Sequence, residues 1–334
     1  MKKNRRRKLI LILFVVVATS LLLEVIVRIS GYAERHICDP IYMPFSGSSE
    51  IPYVHKPGLI NARARGLAVI NTDELGLRVK SVRAVNENSG VREYRIALVG
   101  DSVTFGEGVE KNEDVYAQVM EDYLNRQQGL VKARVFNFAA SAYNVAVMSA
   151  TLEQRMLAVK PDVVLMAIIP NDLNLARTPS VDAYGNLSAN TLSAFLSRDS
   201  RLRIPLRKIH LLYLIRDLLY PLLEKTESVE DILVRGQVPA SYAYIRQFKT
   251  IADKNKLAYR IVLLPSGSQY GRLADHLTAD GISFIDLSDI RNQFSRDQFQ
   301  ASRWDPHPSA LVHRRIGESL AENLSANHLI NRQE

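Results

Sequence analysis

The 334-residue chain is predicted to be an α/β protein whose parallel sheet is covered by helices on both faces. Two observations support this prediction. From Tyr94 onward, short aliphatic segments alternate with longer stretches of helical character, and polar residues, glycine or proline bound the short segments. Ahead of this pattern, an apolar segment follows a cluster of basic residues, so a membrane-spanning helix is predicted to precede the domain.

The amino terminus has the pattern of a membrane anchor. Residues 1–8 carry six basic residues and no acidic one, and residues 9–29 are long enough to cross the roughly 30 Å hydrocarbon layer as a helix. Because basic residues flank such helices on the cytoplasmic side, we expect 1–8 to be cytoplasmic. Residues 9–29 are then a single-pass signal anchor in the cytoplasmic (inner) membrane, and the rest is extracytoplasmic. A cleaved signal peptide is the alternative, although Ser30 to Ala33 is a poor cleavage site.

Charge and cysteine content exclude several function classes. The net charge of +8 comes mainly from the six basic residues at the amino terminus, and beyond them 37 basic residues face 35 acidic ones. No nucleic-acid partner is therefore expected. Cys38 is the single cysteine, which excludes an internal disulfide and a cysteine-built metal site. The histidines outside the motifs below have no companions at metal-ligand spacing, so neither a metal nor an organic cofactor is expected.

The domain is predicted to occupy residues 93–327, after a stalk and lead-in over 30–92 in which prolines and glycines preclude a long helix. Five buried parallel strands are predicted in it: 95–99, 133–138, 162–168, 259–264 and 282–287. Helices are predicted between and after them: 114–127, 145–159, 242–255 and 308–323.

An insertion at about 173–239 interrupts the alternation. Its section from Leu202 to Leu219 interleaves aliphatic and basic residues at helical spacing. We expect this amphipathic helix to pack its apolar face on the domain. A position on the membrane surface and a lid over a site are the alternatives.

Candidate catalytic residues lie at both ends of the domain. The apolar run Ile96 to Val99 stops at Gly100-Asp101-Ser102, which places a serine at the carboxyl edge of the sheet, where ligands bind in open α/β folds. About 200 residues later come Asp305 and His307. A serine hydroxyl is a weak nucleophile and requires a base, and a histidine held by a carboxylate is the common solution.

Three blocks together resemble those of the SGNH (GDSL) hydrolases over roughly residues 94–325: Gly100-Asp101-Ser102 with Thr104 and Gly106, Pro170-Asn171-Asp172, and Asp305-Pro306-His307-Pro308. The resemblance implies a flavodoxin-like three-layer α/β/α fold. It also implies activity as an esterase, lipase, carbohydrate deacetylase or acyltransferase. In the lead-in, 53–58 and 71–78 are similar to the segment that membrane-anchored members carry before this strand.

The resemblance also implies roles for individual residues. Ser102 would attack the acyl carbon, His307 would accept its proton, and Asp305 would orient His307. The oxyanion would be held by the backbone N–H of Ser102, a backbone N–H that aligns with Ala142, and the side chain of Asn171. Asp101 and Asp172 are interpreted as structural, since aspartate suits turns and helix caps.

Two residues depart from the family's pattern. Ala142 stands where the family has glycine, and its N–H is a comfortable donor only if its φ is negative. Asp305 and His307 are separated by one residue, whereas the family's usual motif has two. His313, six residues beyond His307, is the alternative base, although we expect it to lie within the closing helix and away from the site.

These observations predict a serine esterase outside the cytoplasmic membrane that forms an acyl-Ser102 intermediate on O-acylated polysaccharide or lipid esters. An O-acyltransferase with the same residues is one alternative, with a sugar hydroxyl in place of water. A non-catalytic carbohydrate-binding or scaffold protein is another. The oligomeric state cannot be derived from the sequence.

Overall fold

The computed structural model of the chain describes residues 2–36, 39–66, 68–81, 93–127, 131–175, 180–181, 185, 187–188, 208–223, 229–327 and 329–330. Cys38, the end of the lead-in at 82–92 and the first part of the predicted amphipathic segment lie outside these residues.

The chain begins with one long helix, α1 (Lys2–Ile29). Within it, Asn4–Ile29 is long and apolar enough to cross a membrane, and a signal sequence would have the same properties. A 3-10 turn over Glu34–His36 follows directly.

The domain is built on a five-stranded parallel sheet. Its strands are β5 (Tyr94–Val99), β6 (Ala133–Asn137), β7 (Val163–Ile168), β10 (Ala258–Leu263) and β11 (Phe284–Asp286). Their order across the sheet is β11-β10-β7-β5-β6. All five predicted strands are present within two residues at each end. This order is the flavodoxin-like one, and its switch point lies between β5 and the central strand β7.

Helices cover both faces of the sheet, which gives three layers. On one face, α3 (Tyr116–Arg126) packs with the closing helix α10 (Ala310–Ala326) in one apolar cluster with Leu98. On the other face, α4 (Val145–Gln154) and α7 (Tyr242–Lys254) share a second cluster with Val99. The strands between these layers are buried on both faces, which explains why their sequences are continuously aliphatic.

The predicted helix over 145–159 is shorter than expected. It ends at Gln154, because the φ of −132° at Arg155 leaves the helical region, and a 3-10 turn covers Met156–Val159. The Arg155 guanidinium lies over the rings of Phe45 and Phe138, and it donates to the carbonyl of Leu75 at 2.9 Å. These contacts join the helix to the lead-in.

The described part of the lead-in packs on the domain and is not an extended stalk. It forms two short hairpins, β1 (Tyr42–Pro44) with β2 (Tyr53–His55) and β3 (Ala62–Arg63) with β4 (Val69–Ile70). Tyr53 is completely buried in the same apolar cluster as α4 and α7. Prolines prevent a helix here, as predicted, but the apolar side chains between them still fill the core.

The described part of the insertion contains β8 (Ser180–Val181), β9 (Leu187–Ser188), α5 (His210–Leu223) and α6 (Val229–Val234). We expected the amphipathic helix to bury its apolar face on the domain. In α5 that face is instead exposed: Leu212, Ile215, Leu218 and Leu219 all lie on the surface of the chain.

The carboxyl-terminal part adds α8 (Leu273–Ala279), a 3-10 segment over Ser288–Gln293, and α9 (Arg296–Phe299). A hairpin of β12 (Gln300–Ser302) and β13 (Asp305–Pro308) follows, and α10 then closes the domain. This hairpin, called the 300–308 hairpin below, carries Asp305 and His307 to the carboxyl edge of the sheet.

Candidate active site

Ser102 is the first residue of α2 (Ser102–Phe105), a single helical turn that follows β5. As predicted, Asp101 caps this turn, since its Oδ1 accepts a hydrogen bond from Val103 N at 2.9 Å. Gly100 is required by space, because a Cβ there would lie 2.7 Å from the carbonyl oxygen of Ala167 in β7. The close approach of Gly100 to β7 therefore determines the position of Ser102 at the end of β5.

The 300–308 hairpin supplies the histidine and its carboxylate. His307 Nδ1 lies 2.6 Å from Asp305 Oδ1, and His307 Nε2 lies 3.0 Å from Ser102 Oγ. Both acidic and basic residues belong to β13, where side chains two residues apart point to the same face. The extended backbone therefore explains how a spacing of one intervening residue still brings the two side chains together.

The pKa values of this pair are shifted in opposite directions. Burial lowers the pKa of His307, but the hydrogen bond with Asp305 and the charges of Glu107 and Asp305 outweigh it, so the pKa lies above its usual value. For Asp305, burial raises the pKa, but the hydrogen bond and charge of His307 outweigh it and lower the pKa. The site thus favours an imidazolium beside an ionised carboxylate, which is the charge state that proton transfer from a serine produces.

Glu107 is a second carboxylate beside His307, and no motif in the sequence assigned it a role in the site. Its buried Oε2 lies 3.4 Å from His307 Nε2 and 3.1 Å from Arg65 Nη1, and its Oε1 accepts a hydrogen bond from the Ser141 hydroxyl. The one local signal is its position between Gly106 and Gly108, whose φ values of 87° and 79° mark a sharply turned loop.

The lead-in holds this loop in place through a buried arginine. Arg78 donates to the carbonyls of Gly106 at 2.7 Å and Val109 at 2.9 Å, and to Asn112 Oδ1 at 2.9 Å. Burial lowers the pKa of Arg78 to about 9, so the guanidinium remains charged at neutral pH. Arg78 belongs to one of the two lead-in segments that resemble membrane-anchored family members.

A pair of buried acids, Asp101 and Asp172, lies beneath Ser102. Asp172 Oδ2 accepts from Ile169 N at 2.8 Å, which closes the 3-10 turn Pro170–Leu173, and its side chain is hydrogen bonded to Asp101. Burial and the charge of Asp101 raise the pKa of Asp172 well above its usual value. Burial also raises the pKa of Asp101. Like charges on two neighbouring buried carboxylates disfavour ionisation of both, and the hydrogen bonds of Asp101 and Asp172 agree with the structural role expected for both.

Ala142 and Asn171, the remaining predicted site residues, line the same cavity as Ser102. Asn171 lies in the turn after β7 and is exposed to this cavity. Ala142 has a φ of 63°, in the left-handed region. The condition expected for a comfortable donor, a negative φ, is therefore not met. Ala142 keeps the conformation that glycine would adopt freely, at a cost of roughly 1–2 kcal/mol.

His313, the alternative base, lies away from the site. It is completely buried in α10, where its Nδ1 accepts a hydrogen bond from Tyr116 N at 3.2 Å. Burial, with the charges of Arg78 and His307, lowers the pKa of His313 to about 3. It therefore serves the packing of α10 on α3.

The cavity around these residues has a volume of about 660 Å³. The sheet edge forms its floor, the 300–308 hairpin one wall, and the loop 265–268 after β10 another. Arg65 of the lead-in, His36 after α1, and Arg216 and Asp217 of α5 complete the lining. A serine, a histidine within hydrogen-bond distance of it, and an amide side chain thus converge on a space large enough for a sugar or an acyl chain.

Three solved structures are similar to this chain at low sequence identity. A lipase/acylhydrolase from Enterococcus faecalis is 14% identical, with a TM-score of 0.42 over 72% of this chain and 98% of that chain. An alpha/beta hydrolase enzyme from the Lake Arreo metagenome is 15% identical, with a TM-score of 0.41 over 71% and 96%. A catalytic mutant of an acetylxylan esterase from Geobacillus stearothermophilus is 17% identical, with a TM-score of 0.39 over 70% and 93%.

No curated protein matches this chain. The family model described as GDSL-like lipase/acylhydrolase matches residues 96–320, which is about two thirds of the sequence and contains Ser102, Asn171, Asp305 and His307. With this match and the three-layer fold, the chain belongs to the GDSL-like lipase/acylhydrolase family and is a serine hydrolase of ester bonds.

Proposed function

We propose that this hydrolase is a membrane-anchored serine esterase that removes acyl groups from O-acylated polysaccharide or lipid esters outside the cytoplasmic membrane. The observation that carries the proposal is the hydrogen-bonded series Ser102 Oγ, His307 Nε2, His307 Nδ1 and Asp305 Oδ1, with distances of 3.0 Å and 2.6 Å. Ser102 and His307 line a cavity that is large enough for such a substrate.

In the proposed reaction, Ser102 Oγ attacks the acyl carbon while His307 Nε2 accepts the hydroxyl proton. Asp305 stabilises the imidazolium that forms. The negative charge on the carbonyl oxygen is held by the N–H groups of Ser102 and Ala142 and the side chain of Asn171, each donor being worth about 2.7–4 kcal/mol when judged by its removal. His307 then protonates the leaving alcohol, and water repeats the sequence on acyl-Ser102 to release the acid.

The test uses the full-length chain in detergent or nanodiscs with a fluorophosphonate probe and a water-soluble acetyl ester. We expect the probe to label the wild type and the rate of ester hydrolysis to fall by about 10⁴-fold or more in Ser102→Ala and His307→Ala. His313→Ala is the matched control and should retain labelling if it folds, which circular dichroism checks. A wild type that is neither labelled nor active would refute the esterase proposal and favour the non-catalytic alternative.

The same assay separates hydrolysis from transfer. Acetyl release to water is compared with acetyl transfer to an added oligosaccharide. Dominant transfer would identify the chain as an O-acyltransferase with the same nucleophile.

The proposed topology has its own test. The six basic residues at the start of α1 and the absence of acidic residues from residues 1–8 support an amino terminus in the cytoplasm. Alkaline phosphatase fused after Glu334 should therefore be active, since this reporter requires an extracytoplasmic position. A fusion that is inactive, while a cytoplasmic reporter at the same site is active, would reverse the orientation.

A further inference from the structure

Helix α5 presents two different faces. Its outer face consists of Leu212, Ile215, Leu218 and Leu219, and Leu218 is 67% exposed. Leu212, Ile215 and Leu218 follow one another at intervals of three, and Leu219 lies four residues after Ile215. The four therefore form one continuous apolar stripe. Arg216 and Asp217, on other sides of the helix, line the catalytic cavity. Helix α5 therefore separates the cavity from the surroundings of the apolar stripe.

The start of α5 is fixed to the apolar helix α1. The carboxylate of Glu24 in α1 accepts hydrogen bonds from His210 N at 3.0 Å and Leu211 N at 2.7 Å, so it caps the first turn of α5. Glu24 also pairs with Arg28 at 2.7 Å, and Arg28 donates to the carbonyl of Lys208. The two charged residues of the apolar segment thus have partners in the first turn of α5 and just before it.

The residues after α1 make a second attachment. Tyr32 Oη donates to Asp217 Oδ2 at 2.8 Å, and His36 Nε2 lies 3.0 Å from the same oxygen. The His36 ring stacks on Tyr213 with a centroid distance of 5.2 Å. Helix α5 is therefore held at its start by α1 and along its middle by the segment that leaves α1.

The 300–308 hairpin is attached at the same place. Trp304, which directly precedes Asp305, donates from Nε1 to the carbonyl of Ser30 at 2.9 Å, and its ring meets Tyr32 edge-on at 5.2 Å. The carboxyl end of α1, α5 and the loop that carries the catalytic base thus form one packed unit.

The length of α1 gives the position of this unit relative to a bilayer. Glu24 lies 15 residues after Leu9, the first apolar residue, which is about 22 Å along a helix. Since the hydrocarbon layer is roughly 30 Å thick, a helix that starts beside Glu24 begins near the outer boundary of that layer. An exposed leucine stripe at this depth meets lipid and not water.

We infer that α5 lies in the outer membrane interface with Leu212, Ile215, Leu218 and Leu219 among the lipid acyl chains, so that the catalytic cavity opens at the membrane surface. This inference rests on the proposed function and topology. It narrows the substrate to an ester carried by an amphiphile in the same leaflet, such as an acylated lipid or a lipid-linked saccharide. Both share an apolar anchor and an ester near the headgroup.

The depth of α5 is measured by tryptophan quenching in the full chain. Trp304 is the single tryptophan, so Leu218→Trp in a Trp304→Phe background reports on α5 alone. In nanodiscs of phosphatidylcholine with dibrominated acyl chains, we expect Leu218→Trp to lose about half of its emission or more, because an interfacial helix is buried about 5–10 Å deep. The control Lys254→Trp, at the exposed end of α7 on the opposite edge of the sheet, should be unaffected.

Emission from Leu218→Trp that is as insensitive to brominated lipid as that of Lys254→Trp would overturn the inference. Cross-linking between two copies through α5 would overturn it as well, since a second chain would then cover the stripe. In either case probe labelling of Ser102 persists, whereas failure of the proposed function abolishes labelling in the wild type.

Activity provides a second measurement. The double variant Leu218→Glu with Leu219→Glu should lower kcat/KM about tenfold for an ester presented in vesicles, while hydrolysis of a water-soluble acetyl ester stays unchanged. Vesicles of an acetylated diacyl lipid and of an acetylated lipid-linked saccharide are used in parallel to distinguish the two sources of the ester. Equal effects on the soluble and the vesicle-borne substrates would contradict the inference.

Discussion

Ser102 lies between two groups of acidic residues, in which pKa values are shifted in opposite directions. On the cavity side, Asp305 and Glu107 contact His307, and the pKa of Asp305 is lowered by that histidine. Beneath the nucleophile, Asp101 and Asp172 contact each other, and their pKa values are raised by burial. Aspartates thus have their ionised form favoured beside His307 and disfavoured beneath the nucleophile, where they hold the turns of the chain.

The largest effect is expected on the cavity side, from Asp305→Asn. The amide no longer stabilises the imidazolium and favours the wrong tautomer of His307, so kcat should fall by about 10⁴-fold. Initial rates with a soluble acetyl ester measure this. A loss smaller than about tenfold would show that Asp305 is not the group that orients the base.

A smaller effect is expected from Glu107→Gln, and its sign is specific. The charge of Glu107 raises the pKa of His307, and the histidine is a base only when neutral. Removing the charge lowers the pKa of His307. In a plot of kcat/KM against pH, the acidic limb should therefore move to lower pH. Glu110→Gln, an exposed acid three residues further on, is the control and should leave the limb in place. A limb that moves to higher pH would contradict the assigned interaction.

The smallest effect on activity is expected beneath the nucleophile, from Asp172→Asn. The raised pKa means that the folded state holds a proton that the unfolded chain releases. The stability from this proton is complete below the ordinary pKa and is lost as the pH rises through the raised one. Because asparagine resembles the protonated acid, denaturant unfolding of Asp172→Asn should depend less on pH than that of the wild type.

Asp172→Ala is the matched comparison. It removes the acceptor of Ile169 N and should cost about 1–3 kcal/mol in the free energy of unfolding. If asparagine were as destabilising as alanine at neutral pH, Asp172 would have to be charged in the folded state.

The sequence was informative where structure is local. The sheet could be predicted because its strands are short, aliphatic and bounded, and Ser102 stood out because it follows the end of such a strand. Asn171, Asp305 and His307 were selected because their blocks resemble those of the SGNH (GDSL) hydrolases. Asp101 could be interpreted as a cap because its role depends on neighbours two residues away.

What the sequence did not reveal depends on contacts between distant residues. Glu107 gains its importance from Arg65, Ser141 and His307, none of which is near it in the chain. Prolines in the lead-in indicated an irregular backbone but not that Tyr53 would be buried beneath α4. For α5, periodicity identified an apolar face, but periodicity alone does not state what covers that face.

The hydrogen bond between Ser102 and His307 joins residues 205 positions apart, and this separation has a consequence for biosynthesis. A nascent chain that has already folded β5 and α2 displays the nucleophile without its base. The base arrives only with the 300–308 hairpin, which needs α10 behind it and α1 with its following residues in front of it. Hydrolytic competence therefore requires that the 300–308 hairpin has been synthesised and has docked on the sheet and on Ser30 and Tyr32.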